Sequence, residues 1–139
     1  FRPVFRSRKE GMKPEPFQYF GVVGRVIDGD TIVISEIDLG FSVKLANEKL
    51  RFHGINTPES RTRDLREKEI GLQAKARVEE LLPPGQPFSF KSLGYGKYGR
   101  ILGIPFTVDG EDVCSLLVQE GLARVYRGGK REPWFSNGV

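Results

Sequence analysis

Val22-Val23-Gly24-Arg25-Val26-Ile27-Asp28-Gly29-Asp30-Thr31-Ile32-Val33-Ile34 decides how this chain reads. Two β-branched runs flank Asp28-Gly29, a strong hairpin signal, so the segment predicts two strands around a tight corner. The reading places Asp28-Gly29 at the corner and Asp30 at the start of the second strand, where ladder hydrogen bonds would hold its carboxylate. Outward from this hairpin, Leu50 to His53 predicts a short strand, with Arg51 and His53 on one face and Leu50 and Phe52 on the other. Between them, residues 35–49 mix Gly40 with Glu36, Asp38, Lys44, Glu48 and Lys49, and read as a hairpin extension or a long loop.

Further along, Ile70, Ala74, Val78, Leu81 and Leu82 recur at helical spacing, and Pro83-Pro84-Gly85 ends that helix. Residues 60–69 are dense in charge and read as a surface loop running into it. Phe88 and Phe90 alternate with Ser89 and Lys91, as in a strand. Gly94 to Gly99 is a glycine-rich loop, and Ile101 to Val108 a strand that Pro105 assigns to an edge or a bulge. Asp112 is placed to cap a short helix carrying Val113, Leu116 and Leu117, with Gly121 as its stop. The order predicts a mainly β (α+β) domain: a five-stranded Greek-key barrel of the oligonucleotide-binding type (OB-fold) with two or three helices.

The 139 residues suffice for one domain with its own core. A basic arm over residues 1–19 (Arg2, Arg6, Arg8, Lys9 and Lys13, with three prolines) precedes a domain over 20–139. The net charge of +4 and pI near 9.3 favour polyanionic partners modestly. The single cysteine, Cys114, excludes an internal disulfide, and its apolar neighbours mark it as a core residue. No zinc-ligand cluster is present and no apolar run reaches spanning length, so no membrane association is expected. The compartment stays open, because the chain starts at Phe1 and a removed leader leaves no trace.

The chemistry-bearing residues follow the hairpin in order: Asp30, Arg51, Asn56, Thr57, Glu59 and Arg100. Phosphodiester hydrolysis builds charge on phosphoryl oxygens, which permanently charged guanidiniums answer with forked hydrogen bonds. Arg51 and Arg100 suit that task. Asp30 offers a hard oxygen to a cation, a backbone carbonyl near Thr57 another, and Glu59 is left to activate water. Lys97 and Tyr98 interleave charge with an aromatic ring, as surfaces for single strands do. Asp28 is assigned to support of the turn, and His53 receives no role.

Val26-Ile27-Asp28-Gly29-Asp30-Thr31, Arg51 with Gly54-Ile55 and Thr57-Pro58-Glu59, Lys97-Tyr98-Gly99-Arg100, and Gln119-Glu120-Gly121-Leu122-Ala123 together resemble the staphylococcal nuclease (thermonuclease-like) family, from about Val22 to Val125. The resemblance implies cleavage of DNA and RNA to 3′-phosphate ends. It implies Asp30, the Asn56 position and the Thr57 carbonyl as ligands of Ca²⁺, Glu59 as the water-activating carboxylate, and Arg51 and Arg100 on the phosphate. Tyr126 falls near the position of a tyrosine that packs on a bound base, beside Lys97 and Tyr98. Four departures stand out. Asn56 replaces a ligand aspartate, which weakens the expected cation site and admits Mg²⁺ or Mn²⁺. The stretch from Asp30 to Arg51 is longer, the tyrosine match is approximate, and Arg127-Gly128-Gly129 replaces part of a third helix. The expected partner is DNA and/or RNA, with the chain a monomer and no obligate protein partner. The alternative function is a catalytically inactive module binding nucleic acid or protein. A purely structural partner-binding barrel is the third reading.

Overall fold

The computed structural model describes residues 17–128 and Trp134. The basic residues of the arm, together with Lys130 and Arg131, lie outside the described residues.

Five strands close into one barrel. β1 (Phe17–Asp28), β2 (Thr31–Asp38) and β3 (Lys44–Phe52) form an antiparallel meander. β5 (Pro87–Tyr95) pairs antiparallel with both β1 and β6 (Ile101–Phe106). A three-residue parallel seam, Leu50–Phe52 on Ile101–Gly103, completes the closure. β4 (Ile55–Asn56) and β7 (Arg124–Val125) make a separate two-stranded ribbon. The mainly β barrel with two helices agrees with the architecture expected from the sequence.

The barrel interior is the alternating face of each strand: Val23, Val26, Ile32, Ile34, Leu50, Phe52, Phe88, Phe90 and Ile101 are all buried. Two helices extend this core. α1 (Leu65–Leu81) contributes Val78, and the buried Leu82 follows at its C-terminus. α2 (Val113–Gln119) contributes Val113, Cys114 and Leu117. Asp112 caps α2 as expected, accepting the Ser115 N–H at 3.1 Å. Gly121 adopts φ 76° just past the helix, the left-handed geometry that favours glycine at this position. No helix among the described residues is long and apolar enough to cross a membrane.

Several local expectations need correction. Asp28 pairs with Thr31, so the two corner residues are Gly29 and Asp30. Asp30 is therefore a turn residue, not the first of β2. Its backbone is still held from outside, because the Phe52 N–H donates to the Asp30 carbonyl at 2.8 Å. Gly29 is required by space: a Cβ there would lie 2.7 Å from Ala74 Cβ and 2.9 Å from Thr57 Cγ2. Of the two readings of residues 35–49 the hairpin extension holds, since β2 runs to Asp38 and β3 starts at Lys44. β1 begins at Phe17, within the stretch read as arm. The strand expected over 101–108 stops at Phe106, and Pro105 lies beyond the last parallel pair at Gly103, facing Phe90 of β5. The helix after β4 starts at Leu65, inside the segment read as loop.

Candidate active site

The β1–β2 turn lies against the end of β3, with Thr31 paired to Arg51. The chain then turns at Gly54 (φ 82°) and re-enters as β4, which carries Asn56. These elements bring Asp28, Asp30, Arg51, Asn56, Thr57, Glu59, Arg100 and Tyr126 to the wall of one cavity of about 330 Å³. Seven of these are residues the sequence reading singled out for catalysis, cation ligation or nucleic-acid contact; Asp28 and Thr31, which also lines the cavity, are additions.

Burial separates the roles open to them. Asp30, Asn56 and Thr57 are 8%, 2% and 1% exposed, whereas Glu59 is exposed between buried Pro58 and Ser60. Both carboxylate oxygens of Asp30 are engaged. Thr31 Oγ1 donates to Oδ1 at 3.0 Å and the Thr57 N–H donates to Oδ2 at 3.2 Å. Arg51 Nη1 donates to the Phe52 carbonyl at 2.7 Å and Nη2 to Asn56 Oδ1 at 2.6 Å. The same Nη2 lies 3.6 Å from Asp30 Oδ2. Asp30 is the carboxylate beside Arg51. The guanidinium is thus fixed in place by one carbonyl, one amide oxygen and one carboxylate.

Arg100 precedes β6, the strand that pairs with the Arg51 end of β3. Its Nε–H is buried and meets no acceptor among the described residues. A buried donor in that state is costly unless a ligand supplies the acceptor. The Tyr98 ring sits 5.8 Å from the Arg100 guanidinium carbon. Tyr98 itself lines neither this cavity nor its neighbour; it stands 88% exposed at φ 66° on a 3-10 turn over Lys97–Gly99.

A second, wider cavity of about 730 Å³ shares Arg51, Arg100 and Tyr126 with the first. Lys97, His53 and Arg127 lie on its wall. Tyr126 is set by its N–H, which donates to the Gly54 carbonyl at 2.8 Å. The arrangement offers a small acidic-and-basic recess opening onto a basic, partly aromatic groove. Such a pair can seat a phosphate at the junction with a nucleoside on one side.

Sequence reasoning missed the group that fixes the Glu59 segment. Ser60, 4% exposed, donates through Oγ to Asp28 Oδ1, and its N–H reaches the same oxygen at 3.3 Å. The Glu59 N–H donates to Glu67 Oε2 at 2.9 Å. The only signal available in the sequence was Asp64-x-x-Glu67, the spacing of a helix capping box.

Trp134 places its ring 4.0 Å from the guanidinium carbon of Arg124, which pairs with Asn56 in the β4–β7 ribbon. Among the described residues no group of three or more His, Cys, Asp or Glu surrounds one cation position. The oxygen-bearing side chains on the cavity wall are of mixed type, with the carboxylates of Asp28, Asp30 and Glu59 and the amide of Asn56 among them.

Comparison with known proteins gives a consistent picture. The family described as "Staphylococcal nuclease homologue" matches residues 49–135. That span includes Arg51, Asn56, Thr57, Glu59 and Arg100 and begins after Asp30. "Endonuclease YhcR" of Bacillus subtilis (strain 168) is 33% identical over 116 residues, covering 78% of this chain and 9% of the relative. "Succinoglycan biosynthesis protein ExoI" of Rhizobium meliloti (strain 1021) is 28% identical over 102 residues, 70% of this chain and 48% of the relative. "Endonuclease YncB" of Bacillus subtilis (strain 168) is 35% identical over 103 residues, 73% of this chain and 45% of the relative. The chain spans less than half the length of each of these relatives.

Proposed function

The chain belongs to the staphylococcal nuclease homologue family, and from that membership we propose that it is a divalent-metal-dependent nuclease hydrolysing phosphodiester bonds of DNA, RNA or both. The observation that carries the reading is that Arg51 and Arg100 line one cavity together with Asp30 and Glu59. Two relatives named as endonucleases support it.

The donor set fits a hard cation. Asp30, Asn56 and the Thr57 carbonyl present oxygen only, the donor type that Ca²⁺, Mg²⁺ and Mn²⁺ prefer. Asn56 Oδ1 accepts one hydrogen bond from Arg51 and keeps a second lone pair. Those three residues would hold the ion, which would supply charge to a phosphoryl oxygen and acidify a bound water. With one formal negative charge among them, the set favours an ion that retains several waters.

The chain's own groups do the rest. Arg51, fixed by Phe52 and Asn56, presents charge at the recess floor. Arg100 adds a second guanidinium whose buried Nε–H gains an acceptor when a phosphate arrives. Glu59, exposed and on the cavity wall, takes the proton from the attacking water. Tyr126 and Lys97 flank the wider groove, where the adjoining nucleotide lies.

Labelled DNA and RNA incubated with Ca²⁺, Mg²⁺, Mn²⁺ or chelator test this reading. Cleavage with at least one metal, lost in chelator and reduced about 10²–10⁴-fold by Glu59→Gln, is the expected result. An inactive nucleic-acid-binding module is the second reading, favoured by the uncharged Asn56 and its 2.6 Å engagement by Arg51. Binding without cleavage under every metal would establish it instead.

A further inference from the structure

Asp64 and Glu67 have the spacing of a capping box at the start of α1, but only half of the box forms. Asp64 Oδ1 accepts the Glu67 N–H at 3.4 Å, the ordinary half, and the Arg66 N–H at 3.0 Å as well. The usual second half is a return bond from the third-position Glu to the cap residue's own N–H. Here the Asp64 N–H is taken by Thr62 Oγ1 at 3.3 Å. The Glu67 carboxylate turns away and accepts the Glu59 N–H at 2.9 Å.

α1 touches the same segment one turn further on. A Cβ on Gly71 would lie 2.5 Å from the Glu59 carbonyl oxygen and 2.8 Å from that of Pro58. The helix therefore rests directly on the backbone of residues 58–59, with glycine making the approach possible. On the other side, Ser60 is bonded twice to Asp28 at the end of β1. Pro58 and Ser60 are buried while the Glu59 side chain is exposed toward the cavity.

We infer that α1 and the end of β1 form a two-sided clamp on the Pro58–Ser60 backbone, with Glu67 and Ser60 as positioning residues for Glu59. This rests on the role proposed for Glu59 above. Glu67 neither lines the cavity nor faces substrate; it acts through one backbone hydrogen bond. Because the requirement is for an acceptor, an amide in its place serves as well as a carboxylate.

Amide hydrogen exchange and steady-state cleavage on the full chain test the clamp together. In Glu67→Ala the Glu59 amide should exchange about tenfold faster, the loss expected for one charge-assisted hydrogen bond at a partly exposed position. The Val78 amide, deep in α1, should be unchanged. Glu67→Gln should restore both the slow Glu59 exchange and the cleavage rate. In cleavage, Glu67→Ala should lower kcat about tenfold with KM within about twofold, since the ground-state phosphate contacts are intact. Ser60→Ala, which leaves α1 untouched, should give the same kind of kcat loss.

Unchanged Glu59 exchange in Glu67→Ala overturns the clamp, as does equal impairment in Glu67→Gln. Faster exchange at Val78 as well would reduce Glu67 to a helix-capping residue and overturn it too. If the parent chain cleaves nothing but the Glu59 amide responds as described, the clamp stands and the nuclease reading falls.

Discussion

Arg51 Nη2 donates to Asn56 Oδ1 at 2.6 Å, so a permanently charged group is tied to the one uncharged side chain of the candidate ligand set. The contact ranks the chemistry at this corner. The amide withholds a full negative charge from a bound cation, while Arg51 keeps the Asp30 carboxylate 3.6 Å from its Nη2.

Asn56→Asp should therefore tighten cation binding about tenfold or more, by adding a second carboxylate beside Asp30. Titration of the chain with Ca²⁺ and Mn²⁺ by calorimetry reads the change directly. Equal affinities in the two proteins would remove Asn56 from the ligand set.

Arg100→Ala should lower kcat/KM about 10²–10³-fold, as loss of a transition-state donor does elsewhere. Its fold should be preserved, because the substitution deletes a buried N–H that has no acceptor among the described residues. Arg100→Lys should recover only part of the rate, since a point charge cannot fork onto two phosphoryl oxygens. Full activity in Arg100→Ala would rule out the phosphate role.

Gly29→Ala should destabilise the protein by about 1–3 kcal/mol through overpacking. The new methyl meets Ala74 on α1 and Thr57 on the cavity wall. Because the corner residue beside it is Asp30, cation affinity should fall along with the melting temperature. A variant as stable as the parent, with the same affinity, would contradict the close approach.

Arg77 holds Glu120 in a forked pair, Nε to Oε1 at 2.8 Å and Nη2 to Oε2 at 2.9 Å, joining α1 to the end of α2. The hydrogen bonds from Arg77 hold the Glu120 carboxyl below its usual range. A depressed folded-state pKa means the stabilisation is present above the unfolded carboxyl value and lost as pH falls through the folded one. Arg77→Ala should lower the melting temperature slightly near neutrality and not at all near pH 2. An undiminished difference in acid would assign the effect to packing. The pair is partly exposed, and solvent screens its contribution to stability.

Burial pushes the Cys114 thiol up to about 12. A raised folded-state value adds stability that is complete below the unfolded thiol's range and lost as pH rises toward 12. A disulfide reagent at pH 8 should label native protein only as fast as the fold opens, and unfolded protein at once. Rapid labelling of the native chain would contradict the packing of α2.

How much of this was legible in the sequence differs by residue. The hairpin was visible in its β-branched runs, but its corner was read one residue early. Register depends on which residues face each other, and β1 carries bulges near Val23 and Asp28 that shift the pairing. The first half of β3 was hidden because its residues alternate between exposed and half-buried, and backbone pairing to β2 alone makes it a strand. The start of α1 was masked by charge, with the boundary set by Asp64 rather than by an apolar face. Arg51, Asn56 and Glu59 were legible because they lie within nine positions on one short strand-and-turn unit. Asp28 and Glu67 were not, since each acts on the Glu59 segment across a separation that no local pattern reports: 32 residues from Asp28 to Ser60, and the folded-back start of α1 for Glu67.

The parallel seam between Leu50–Phe52 and Ile101–Gly103 has a consequence for how activity is acquired. It joins segments about fifty positions apart, and such distant pairings form late because the intervening loop must be ordered first. Arg51 sits within that seam and Arg100 immediately before it. A chain that has zipped its neighbouring hairpins but not this seam keeps the two cations apart. On the nuclease reading proposed above, a copy whose barrel has not closed holds its two guanidiniums apart and is inert toward nucleic acid.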